Sequence, residues 1–174
     1  MFRSSVVIVS GFLFLGNVAF GGDDGWGSIH CGMDIAKALI GKRMPNERVV
    51  VLEKRHQDIS LKDLGADIIT DNINCIWWLI CGEEYMVLEA NDVVRDVVKL
   101  PAHSKKSPEF QGVCEISGKK MDGEVTAILD NEKETDEKML PARVAWRIDE
   151  KKVKFISVPV EGMLCPRDGV IERK

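Results

Sequence analysis

Cys75-Ile76-Trp77-Trp78-Leu79-Ile80-Cys81 is apolar at every position. A strand with one face in water alternates apolar and polar residues. A strand covered on both faces does not, so this run is expected to be a central strand. The neighbouring sequence continues the pattern. Gly82-Glu83 marks a turn, and Tyr85–Glu89 and Val93–Leu100 read as two strands joined at Asn91-Asp92, a hairpin-type dipeptide. The valines Val93, Val94, Val97 and Val98 would also fit one helix face, but β-branched residues favour the strand.

Downstream, a polar and basic loop runs from Pro101 to Pro108. Phe110, Gly112, Cys114 and Ile116 then alternate with Gln111, Glu115 and Ser117, which puts Cys114 on the apolar side. Ser117-Gly118 turns the chain, Glu124–Leu129 forms the next strand, and residues 130–138 are a charge-rich linker. The clearest hairpin comes last. Val144, Trp146 and Ile148 alternate with Arg143, Ala145 and Arg147; residues 149–152 turn; Val153 and Phe155 return on one face. The apolar register shifts at Ile156 and Val158, which predicts a bulge. Short strands at close spacing predict a mainly β (α+β possible) fold, with antiparallel strands forming a small barrel or sandwich.

Upstream of residue 73 the signals are weaker. Ile35, Ala38 and Leu39 fall at helical spacing between Asp34 and Gly41, so a short N-terminal helix is expected over 34–40. Val49-Val50-Val51-Leu52 reads as a buried strand over 48–53. Residues 60–72 remain ambiguous: Asp63, Asp67 and Asp71 recur every four residues, but Gly65 interrupts a helix. No internal repeat is evident.

The N-terminus has the form of an export signal. Arg3 supplies a positive n-region, Val6–Gly16 an apolar h-region, and Ala19-Phe20-Gly21 a small-residue cleavage site. Cleavage after Gly21 is expected, leaving a single disulfide-stabilised β-rich domain over 22–174. The apolar run is shorter than the roughly 20 residues a spanning helix needs. Ser28-Ile29-His30 before Cys31 makes a poor lipoprotein signal, and no later segment is apolar enough to span a bilayer. The predicted location is therefore periplasmic or secreted.

That location governs the five cysteines. In an oxidising compartment they serve as crosslinks, and an odd count leaves one over. No Cys-x-x-Cys pair is present, so neither a thioredoxin-like motif nor a common zinc ribbon is expected. We expect Cys31–Cys165 to tie the ends of the domain and Cys81–Cys114 to join two strands. Cys75 then remains as a buried, inert thiol.

Catalytic signatures are missing. There is no Gly-x-Ser-x-Gly elbow, P-loop or Gly-x-Gly-x-x-Gly. Carboxylates such as Glu83, Glu84 and Glu89 are plentiful, and abundance alone is no signal of glycoside hydrolysis. His30, His56 and His103 lie far apart, and the aspartates at 63, 67 and 71 do not match a calcium loop. No metal and no cofactor is expected. A net charge of −4 argues against nucleic-acid binding.

Residues that could contact a ligand or partner are His103, Lys105 and Lys106 in the basic loop, beside Lys99. Rigid sheets present function on loops, so 101–108 and 130–138 are the candidate contact segments. Trp26, in a Gly-rich exit segment, is either a contact residue or an anchor for the N-terminal arm. Trp77, Trp78 and Trp146 are read as core, with a ligand groove as the alternative. The expectation is an exported, non-catalytic binding or inhibitor-type protein of the bacterial envelope, whose partner is an unknown protein or small ligand. The alternatives are a hydrolase assembled from scattered residues and a structural envelope component.

Overall fold

The chain was analysed as a computed structural model, which describes residues 25–44, 47–133 and 137–171. The expected export signal lies outside the described residues. The fold is mostly β, with antiparallel sheets, one of them curled into a half-barrel, and few helices.

The first sheet is a four-stranded meander of β1 (Lys62–Thr70), β2 (Ile73–Ile80), β3 (Glu83–Ala90) and β4 (Val93–Lys99). The run that predicted a central strand is β2, paired with β1 on one side and β3 on the other. Its two faces serve different cores. Trp78 and Ile80 join Tyr85 and Val87 beneath the N-terminal arm and helices. Cys75 and Trp77 join Met86 and Leu88 against the second sheet. The hairpins at 81–82 and 91–92 have both central residues at positive φ (Cys81 55°, Gly82 80°, Asn91 53°, Asp92 62°). That is the two-residue turn whose twist matches the flanking strands. Gly65, at φ 125°, sits where the β1–β2 register shifts, so the glycine that argued against a helix marks a bulge.

The second sheet contains β5 (Glu109–Gly112), β6 (Glu115–Ile116), β7 (Lys119–Lys120), β8 (Val125–Leu129), β9 (Met139–Asp149), β10 (Lys154–Val158), β11 (Met163–Pro166) and β12 (Val170–Ile171). Its order is β12-β5-β8-β9-β11-β6-β7, with β10 also pairing β9. The long β9 thus shares one edge between two strands, β11 along Met139–Pro141 and β10 along Ala145–Asp149. Inside the curl lies a core of Phe110, Leu129, Leu140 and Met163 around a disulfide. Gly169 lies hard against the Phe110 ring, and an added Cβ would meet it at 2.4 Å.

Three expectations fail. Residues 49–55 form a helix, α2 (Val49–Arg55), after α1 (Ile35–Leu39), and not a strand. The outer edge of β4 is already occupied: Gly41 N–H donates to Val94 O (2.8 Å), and Val94 N–H to Lys42 O (2.9 Å). A helix satisfies the backbone of the valine run locally, without recourse to a sheet edge. Only Leu52 of α2 is buried, and Val50 is 72% exposed. Second, β10 pairs with β9 in unbroken register from Lys154 to Val158, so no bulge sits at Ile156. Both faces of β10 are partly covered, which removes the alternation from which the bulge was read.

Third, the bridges are Cys31–Cys81 and Cys114–Cys165, not Cys31–Cys165 and Cys81–Cys114. The arm carrying Cys31 packs on the face of the first sheet that lies away from the second sheet, beside the Cys81-Gly82 turn. Cys114 precedes β6, which pairs β11 at Leu164↔Glu115, so strand pairing brings Cys165 to Cys114. Each crosslink closes within one half of the chain. Cys75 is buried and takes part in neither bridge, as expected.

Buried Glu89 on β3 gives a pH-dependent term. Burial first, and the charge of Asp92 second, push its carboxyl above the ordinary value, while a hydrogen bond from Asn74 opposes the shift. A carboxyl raised in the folded state costs stability once it ionises. Stability therefore falls as pH rises from the ordinary glutamate range through the raised folded value. Glu89→Gln is expected to be more stable than the wild type at pH 7, with the advantage lost near pH 4. Urea midpoints at the two pH values check this, and an equal difference at both would contradict it.

Candidate functional site

A groove of about 660 Å³ opens between the two sheets. Cys75 and Trp77 of β2 line one side, and Trp146 and Ile148 of β9 with Phe155 and Ile156 of β10 line the other. The arrangement follows from strand parity: Cys75 and Trp77 share the face of β2 that looks at the second sheet. Ile68, at the lip, is 82% exposed, a large apolar side chain left in solvent. The sheets are linked across this space by Gln111 Nε2 donating to Asp67 Oδ2, and by Phe155 N–H donating to Asp96 Oδ2 (2.9 Å).

The rim is charged and mainly acidic: Asp122, Glu124, Asp149 and Glu150, against Arg147 and Lys151. The Lys152 backbone N–H (3.1 Å) holds the Asp149 carboxyl below its usual value, with help from the charge of Lys152. Such a site suits a small molecule with an apolar or aromatic body and a neutral or cationic end.

The four residues singled out as contacts lie in different places. Trp26 is core, 1% exposed, edge-on to Trp78 at 5.3 Å and 6.4 Å from His56. Of its two readings, the structure places it as an anchor of the arm. Lys105 and Lys106 are exposed on the loop between β4 and β5. That loop is closed by reciprocal Ser104–Ser107 backbone bonds (3.1 and 3.0 Å). Asn131, from the charge-rich linker, holds it further: its N–H donates to Lys106 O (2.8 Å) and its Nδ2 to Lys105 O (3.0 Å). Arg167 in turn donates to Asn131 Oδ1 (3.1 Å). The two segments proposed as separate contact surfaces therefore form one bonded unit.

His103 is half-buried against Glu84. Its Nε2 lies 3.6 Å from Glu84 Oε1, and its buried Nδ1 has no hydrogen-bond partner among the described residues. Glu109, the first residue of β5, completes the group, with one ligand-type atom from each residue within 4.8 Å of the others. The sequence offered a groove at Trp77, Trp78 and Trp146 as the alternative to core packing, and Trp77 and Trp146 do line one; it gave no sign of the cluster. The aromatic positions of the groove were legible, but nothing local shows that β2 faces β9. Glu84, His103 and Glu109 are spaced too widely for any motif.

No family model, curated protein or solved structure matches the chain. Among the described residues no helix is long and apolar enough to cross a membrane. The two disulfides mark a protein of an oxidising, non-cytoplasmic compartment.

Proposed function

We propose that this protein is an exported, non-catalytic binding protein, periplasmic or secreted, that holds a small amphipathic ligand in the groove between its sheets. The aromatic and aliphatic lining beneath an acidic rim carries this reading. Export is supported by the signal-like N-terminus and by the disulfides. Thiol hydrolysis needs a base beside the sulfur, and among the described residues no histidine lines the groove with Cys75.

Nile red, a neutral dye that brightens in apolar surroundings, is the probe. Saturable one-to-one binding is expected. Dodecyltrimethylammonium should displace the dye at lower concentration than dodecyl sulfate, both below their micellar range. Ile68→Asp, at an exposed lip position, should weaken dye binding at least about tenfold, equivalent to 1.4 kcal/mol. Failure of the folded protein to bind the dye, or unchanged binding by Ile68→Asp, would refute the groove as the site.

A further inference from the structure

We propose that Glu84, His103 and Glu109 form a binding site for a first-row divalent cation, zinc being the first to try, at the crossover between the two sheets. This departs from the sequence expectation of no metal, and it is independent of the groove, whose lining contains none of the three residues.

The site follows from how the chain passes between the sheets. Glu84 shares the face of β3 with Met86 and Leu88, the face turned to the second sheet. Its backbone oxygen accepts from Leu100 N–H (2.8 Å), which places the start of the crossover loop beside it. The loop ends where Leu129 N–H donates to Pro108 O (2.9 Å), and Glu109 opens β5 paired with Ile128. Three residues remote in sequence are thus held together by β3, the loop and β5, each fixed by backbone bonds.

Their chemistry fits a cation. Glu109 is wholly buried, at 0% exposed, and a second carboxylate converges on it. Carboxylates brought this close together favour a cation beside them. His103 brings a nitrogen donor, its Nε2 facing the Glu84 carboxylate. The 3.6 Å separation of His103 Nε2 and Glu84 Oε1 is long for a hydrogen bond. It is close to the edge of a tetrahedron with metal–ligand bonds near 2.0–2.1 Å, which is about 3.3 Å. One imidazole with two carboxylates is a borderline donor set, suited to zinc or manganese more than to calcium. Three protein ligands leave a position for water.

The position gives the ion a structural consequence. It would clip the crossover loop to both sheets, where no disulfide acts. Isothermal titration of the oxidised mature chain with zinc chloride tests the proposal. One zinc per chain is expected, and zinc at about 100 times its Kd should raise the melting temperature by roughly 5 °C. His103→Gln should weaken binding at least about tenfold, as second-site controls at exposed His30 (His30→Gln) should not. The His103 ring resonances should shift on zinc addition, which separates this site from zinc captured by Cys75 or the surface. Glu84→Gln provides a second variant should Glu109→Gln fail to fold. A folded wild type without stoichiometric zinc, or a His103→Gln variant that binds as the wild type does, would overturn the proposal.

Discussion

Replacing Cys114 and Cys165 together by alanine should lower stability by about 4 kcal/mol. The bridge closes a loop with a sequence separation of 51, and removing such a closure returns about that much entropy to the unfolded chain. The site offers little to offset the loss. Both cysteines are buried at the centre of the half-barrel core, and the strands they join, β6 and β11, meet over only Met163↔Ile116 and Leu164↔Glu115. Such short pairing does not hold register without the crosslink. For a domain of this size the fall in melting temperature should be roughly 10–15 °C. Differential scanning calorimetry of the double variant checks it. A fall of less than about 3 °C would mean that the bridge contributes little and that the core alone orders this end of the sheet.

Trp26→Ala should cost about 3–5 kcal/mol, the range for an aromatic truncated in a core. The indole is the keystone between the arm and the first sheet, against Trp78 on one side and His56 on the other. The Cys31–Cys81 bridge keeps the arm attached, so the variant should fold with a cavity, not a detached arm. Because Trp26 packs on one face of the sheet and the groove opens on the other, Nile red binding should be unchanged. This pair of readouts separates an anchor from a contact residue. Lost dye binding with full stability in urea would restore Trp26 to the binding surface.

The effects of the two substitutions should add when combined, because they act in separate clusters that share no residue. That independence also explains how the disulfides were misread. Pairing the ends of the chain assumed that one core runs through it. Instead the arm folds back onto the first sheet and the C-terminal strands close the second. Cysteine spacing carries no information on this, since the separations alone do not show which strands pair.

Where hydrogen bonding is local, the reading succeeded. Asp34 caps α1, accepting from Lys37 N–H at 3.1 Å. The 91–92 and 117–118 turns fall where small or amide-bearing residues tolerate positive φ. The valine helix shows the limit. Val49-Val50-Val51 has strand propensity, yet the segment forms a helix that buries only Leu52, an outcome local propensity does not decide. The candidate cation site is a stronger case of the same limit, since Glu84, His103 and Glu109 become neighbours only when the crossover loop joins two finished sheets.

Side-chain alternation and turn chemistry were by themselves enough to determine that this is an antiparallel β protein with β2 in the interior of a sheet. Those are consequences of period-two geometry and of which residues accept positive φ, both local. Which face of β2 meets the second sheet, which cysteines pair, and which carboxylates gather around His103 were decided only by the tertiary structure. Each depends on contacts between residues tens of positions apart, set by how the two sheets pack and not by any property of the neighbouring chain.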